Sequence, residues 1–146
     1  MANFAHLVRR TLRSFRPRLT PVDISLAEQT LSPAEFAMWS AMQLADKAHS
    51  VTVLRRFVEI RPTATKSEKC AALLHDVGKS ASRLSTLGRI IATCVGGRTP
   101  RMRMYVSHEA IGARMLEGIS DQLTISLVNG DGPAESQRAL RAADDI

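Results

Sequence analysis

The sequence predicts an all-α protein, a compact helical bundle of about five to seven helices, and three observations carry that prediction. Apolar residues make up 45% of the 146-residue chain but aromatics only 4%, and Ala, Leu, Met and Arg favour helices over strands, which draw on β-branched and aromatic side chains. Apolar residues recur at helical spacing, as in Phe36, Trp39 and Met42. Helix-start signals recur too, the clearest being Ser32-Pro33-Ala34-Glu35, which places serine at the N-cap, proline at N1 and glutamate at N3. A chain of this length builds one sizeable core and is short for two.

Residues 1–31 read as a basic N-terminal arm and linker, and residues 32–146 as the helical domain. Pro17 and Pro21 bracket the linker, where Val22 to Leu31 is weakly periodic and suits a short helix. After Ser32 the apolar stripe Phe36, Trp39, Met42 continues through Asp46, His49, Val53 and Phe57. One long helix satisfies this pattern, and so do two with a break near Asp46, which would then cap the second. Pro62 ends that element by disfavouring the α conformation at Arg61. Ser67 reads as the cap of a helix from Glu68 to about Asp76, broken by Gly78. Leu84, Leu87, Ile90, Ile91 and Val95 mark a further helix that stops at Gly96-Gly97, and Arg98 to Arg103 reads as a basic loop. A helix is expected from near Ser107 to Gly118, another from Asp121 to Val128 with Ser120 as its cap, and a last one from Ala134 to about Asp145. Asn129-Gly130-Asp131-Gly132-Pro133 is the strongest turn signal in the chain.

The net charge of +6 is unevenly spread. Arg9, Arg10, Arg13, Arg16 and Arg18 crowd the first 18 residues with no acidic residue among them, while the remainder is nearly balanced. Such an arm suits an anionic partner or plain solvation equally. Phe4, Leu7, Val8, Leu12 and Phe15 could line one helical face of it, a face better suited to packing on its own domain than to lying on a membrane. With no DNA-binding motif and no aromatic stacking set, nucleic acid is not the expected partner. Cys70 and Cys94 sit in apolar patterns without metal-type spacing and read as reduced core residues. No secretory signal is evident, and no apolar run approaches the roughly 20 residues that span a bilayer. The expectation is a cytoplasmic protein with no membrane partner.

The chemistry centres on Leu73-Leu74-His75-Asp76-Val77-Gly78-Lys79, where an imidazole, a carboxylate and an ammonium emerge as an apolar helix stops. A neutral imidazole beside an ionised carboxylate ligates borderline or hard divalent cations. An isolated His-Asp pair is an ordinary helix-end feature, so the weight comes from the rest of the chain. Asp46, His49, His108 and Asp144 also fall within or at the ends of apolar helices, and bundles build metal sites from such inward-facing side chains on several helices.

In these residues the chain resembles the HD-domain superfamily of metal-dependent phosphohydrolases, whose pattern is a histidine, a His-Asp pair and a distant aspartate, all on helices. His49 matches the first, His75 and Asp76 the pair, and Asp144 the last, with Asp145 as its rival; the resemblance covers roughly Asp46 to the C-terminus. It implies an HD-type bundle binding a divalent metal ion (Mn, Fe, Mg, Ni or Zn) through His49, His75, Asp76 and Asp144. The activity it implies is cleavage of a phosphate ester of a nucleotide or related small molecule by a metal-activated water. Asp76 would bind metal and orient the water, and Lys79 and His108 would meet the phosphoryl oxygens, with Arg55 and Arg56 in reach if they face that way. Asp46 could hold the His49 ring on a continuous helix.

A finer similarity is to the branch that hydrolyses cyclic dinucleotides, in the Gly78-Lys79 pair and in His108-Glu109-Ala110-Ile111-Gly112. That branch adds a histidine pair further on, and this chain has no histidine after His108. The difference points to a single metal, and it raises the alternative of a non-catalytic regulatory domain that keeps a metal or nucleotide pocket.

Overall fold

A computed structural model describes residues 17–83 and 100–145, with side chains outside 81–107. Among them are seven α-helices, one 3-10 segment and no strands: α1 (Pro21–Thr30), α2 (Pro33–Ser40), α3 (Leu44–Ile60), α4 (Lys66–Leu74), the 3-10 turn Val77–Arg83, α5 (Pro100–Met115), α6 (Gln122–Asn129) and α7 (Ala134–Asp144). The all-α class is as expected. The arm up to Arg16 and the expected helix around Leu84 to Val95, with Cys94, lie outside the described residues.

Local chemistry sets the helix starts. Thr20, Ser32 and Thr65 each form a full capping box with the acidic residue three places on, Asp23, Glu35 and Glu68, satisfying amides that a first turn leaves without partners. Thr65 therefore replaces Ser67 as the cap of α4; the Ser67 hydroxyl instead donates to Asp121 of the α6 cap. Asp121, rather than Ser120, caps α6 by accepting from the Thr124 amide at 2.9 Å, and Ser120 donates to Glu35 at 2.7 Å. Of the two readings of residues 36–57, the broken helix is the one formed. α2 ends at Ser40, α3 starts at Leu44 behind Gln43, and Asp46 lies in the first turn of α3, where its charge complements the helix dipole, rather than at the cap. α5 is helical from Pro100, which suits the first turn because proline has no amide proton to satisfy. The expected loop therefore ends earlier and Ser107 falls inside the helix. The turn after α6 places Gly130 at φ +85°, a left-handed conformation that glycine adopts without steric cost.

α4 is the central element. Cys70 to Leu74 are all buried, and a helix apolar on every side belongs in the middle of a bundle. α3 and α6 flank it, α7 packs on α3 and reaches α4 through Ser136, α5 packs on α6 and on the 3-10 turn, and α1 and α2 cover α4. The core is filled by Trp39, Phe57, Leu73, Leu74, Leu116 and Leu127, all under 3% exposed. α1 belongs to this core through Ala27 and Leu31, and Asp23 on it accepts from Arg55 at 2.6 Å.

Two contacts orient the polar residues at the C-terminal end of α4. The Trp39 indole donates to the buried Ser50 hydroxyl at 2.9 Å, which fixes the rotation of α3 and so the direction in which His49, the preceding residue, points. Gly78 meets the backbone of α5 so closely that a Cβ would lie 1.9 Å from the His108 carbonyl oxygen. The glycine expected to break a helix is thus required by tertiary packing, since α4 already ends at Leu74.

Candidate metal centre

Three helices converge at the C-terminal end of α4. His49 comes from the second turn of α3, His75 and Asp76 follow α4 directly, and Asp144 ends α7. The His49 and His75 rings are 5.6 Å apart and tilted by 59°. His49 Nε2 lies 2.7 Å from Asp144 Oδ1, and His75 Nε2 lies 3.2 Å from the same oxygen and 3.4 Å from Asp76 Oδ2. Ligand atoms of His49, His75 and Asp76 all lie within 4.8 Å of one another, a group that could hold a metal ion.

The tautomer of His75 is set from below. Its Nδ1 sits 2.8 Å from the Ala72 carbonyl oxygen, which can only accept, so Nδ1 carries the proton and donates. A neutral ring then turns its Nε2 lone pair into the cluster, the arrangement by which metal-binding imidazoles are commonly oriented. Nε2 is sealed from solvent and makes no hydrogen bond of adequate geometry to either carboxylate. An uncommitted polar atom in a buried position costs about 1–3 kcal/mol, and a cation coordinated there would remove that cost. The donor set of two imidazoles with a carboxylate, and Asp144 against both rings, therefore fits a divalent ion.

The electrostatics agree with this geometry. Burial pulls the His75 pKa down, but the carboxylates of Asp144 and Asp76 and the Ala72 carbonyl outweigh it, so the net shift is upward. Asp144 is held well below the usual carboxylate range by its hydrogen bond to His49 and by the adjacent His75 ring, although its burial pushes the other way. In the metal-free protein these pairs share protons that a cation must displace.

Asp76, 4% exposed, presents Oδ2 to the Lys79 ammonium at 2.8 Å, one 3-10 turn on. Lys79 thus neutralises Asp76 directly. His108 is carried to the neighbourhood by its backbone, through the Gly78 contact, and is not a member of the His49, His75, Asp76 group. Among the described residues no hydrogen bond joins Asp46 to His49, whose ring is held by Asp144 instead. Arg55 turns away to Asp23, whereas Arg56 reaches the end of α7. The bond from His75 to the Ala72 carbonyl is the hydrogen bond to a helix end that a histidine in this position would make in any case, and here it also orients the ring towards the cluster.

Comparison of the chain with protein families, characterised proteins and solved structures gives no match in any of the three.

Proposed function

We propose that this chain is a metal-dependent phosphohydrolase of HD type, cleaving a phosphate ester of a nucleotide or related small molecule. The observation that carries the reading is the buried His75 Nε2, oriented by Ala72 and left without a hydrogen bond among His49, Asp76 and Asp144. His49, His75 and Asp76 would hold the ion, with Asp144 completing the set. The bound ion would lower the pKa of a coordinated water towards neutrality and polarise a phosphoryl oxygen. The chain's own part is to orient the His75 ring through the Ala72 carbonyl, to anchor Asp76 through Lys79, and to offer positive charge to the developing phosphoryl charge. Lys79 and His108 are the candidates for that last role.

The test is the metal content of untagged protein purified without chelator, alongside turnover of a phosphate-ester panel supplemented with Mn, Fe, Mg, Ni or Zn. Stoichiometric metal and turnover, both lost in Asp76→Ala, support the reading. Metal bound without turnover on any ester would replace it with the regulatory, ligand-sensing domain. Failure to take up any of the five metals would overturn both.

A further inference from the structure

Arg56 stands apart from the other arginines of α3 and its C-cap. Arg55 is paired with Asp23 at 2.6 Å, and Arg61 with Glu68 at 2.7 Å and Glu135 at 3.1 Å. Arg56 has no carboxylate partner among the described residues. It lies seven residues after His49 and three after Val53, on the face of α3 that carries His49. Long side chains on a helix lean towards its N-terminus, so Arg56 reaches back in the direction of His49. Its Nη2 donates to the Ala142 carbonyl oxygen at 3.3 Å. Helix carbonyls point towards the C-terminal end, so the guanidinium lies off the last turn of α7, beside the turn that delivers Asp144 to His49. Its Nε is enclosed and has no hydrogen-bond partner.

A guanidinium is always charged and presents its donors as a rigid fork matched to phosphate oxygens. On α3 the fork is held at one end by a single backbone carbonyl and is otherwise uncommitted, at the edge of a group suited to a divalent ion. A phosphate ester bound at that ion brings more oxygens than the ion can coordinate, and these need donors arranged around them. Lys79 is already engaged with Asp76.

We propose that Arg56 is a phosphoryl-binding side chain of this centre beside the candidates Lys79 and His108, a role that rests on the metal-dependent reading above. An anion at the centre meets the outer amino groups of Arg56, and a small turn of the fork onto it also gives the enclosed Nε–H an acceptor. A guanidinium that served only to cap α7 would leave phosphate binding unaltered.

The experiment uses the full chain and two titrations, Mn2+ into protein and then inorganic phosphate into Mn2+-loaded protein, on wild type, Arg56→Met and Arg56→Lys, with thermal melts confirming that each is folded. The expected result is Mn2+ affinity within about threefold of wild type in both variants, with phosphate affinity at least about tenfold weaker in Arg56→Met and intermediate in Arg56→Lys, which keeps the charge and loses the fork. Mn2+ binding intact with phosphate affinity unchanged in the folded variants would overturn the role of Arg56 and leave the metal reading standing. No Mn2+ binding by wild type would overturn both. Should Arg56→Met fail to fold, unchanged phosphate affinity in Arg56→Lys would overturn the role, and a loss of at least about threefold would support it.

Discussion

The seam between α3, α4 and α7 holds a polar cluster at each end, and the two are built from the same three helices to opposite effect. Glu68, in the first turn of α4, and His75, just past its end, lie seven residues apart; Ser136 and Asp144 lie eight apart on α7. At the first end, Glu68 accepts from Arg61 at 2.7 Å, from the Thr65 amide at 2.6 Å and from Ser136, and it is 2% exposed. Both of its oxygens are engaged, and these bonds hold its pKa below the usual value although burial alone would raise it. At the second end, His75 keeps a buried nitrogen uncommitted while His49, Asp76 and Asp144 crowd around it. A polar group buried for stability is saturated by its own chain, because an unmet hydrogen bond costs more than a met one returns. The buried His75 nitrogen, by contrast, is left one partner short.

If this contrast holds, mutation should separate stability from binding. The largest expected effect is at the open end: His75→Gln weakens divalent-metal binding by about a hundredfold or more in a direct titration, while the melting temperature of the metal-free protein on the alkaline side, where the charge of His75 no longer contributes, moves little. At the closed end Glu68→Gln removes the buried charge facing Arg61 and turns one acceptor oxygen into a donor, at a cost of about 3 kcal/mol that lowers the melting temperature by roughly 10 °C. Its metal affinity, measured on the folded fraction, stays near wild type. Equal losses of metal affinity in the two variants would dissolve the distinction.

Acidity sharpens it further. The folded pKa of Glu68 is depressed, so its contribution is present above about pH 4.5 and is lost as pH falls below that. The folded pKa of His75 is raised, so in metal-free protein its contribution is fully present below about pH 6.5 and is lost as pH rises through the folded value. Thermal melts of metal-free protein between about pH 3 and 9 should therefore fall steeply on the acid side and gently on the alkaline side. His75→Gln should flatten only the alkaline limb. The smallest expected effect is that of Ser136→Ala, about 1 kcal/mol in chemical denaturation, since Glu68 keeps its bonds to Arg61 and Thr65.

Much of this architecture is legible in the residues alone, for reasons that differ by element. The Ser32 box is legible because a cap is a purely local device: serine, proline and glutamate at fixed spacing meet the same amides wherever they occur. Thr65 and Ser67 both offer a hydroxyl, and only Thr65 has an acidic residue three places on; Ser67 is left to serve Asp121, a partner 54 residues away that no local pattern reveals. The break between Ser40 and Leu44 is undecidable from pattern because the apolar stripe runs through it in phase. His49, His75 and Asp76 are legible as a group because inward polar positions on apolar stripes are few. Glu68 escapes notice although it shares a stripe with Ala71, Ala72 and His75; an acidic residue on that face signals a buried partner as clearly as a histidine does. No helix among the described residues is long and apolar enough to cross a membrane, in keeping with the apolar runs of the sequence.

The five residues His75-Asp76-Val77-Gly78-Lys79 look like a self-contained word, yet Gly78 makes them half of a sentence. Val77 is wholly buried, and the face of Gly78 is pressed against His108 and the Gly112 amide, where any methyl group would overlap the backbone. The turn bearing Asp76 and Lys79 is therefore machined to fit one particular helix. Gly112 answers it from the other side, its own Cβ position lying 3.2 Å from the Gly78 nitrogen. Grafting the pentapeptide onto another bundle would transplant the donor atoms without their bearing surface. The transferable unit is the turn together with the stretch of α5 from His108 to Gly112, two segments some thirty positions apart that have to be moved as one.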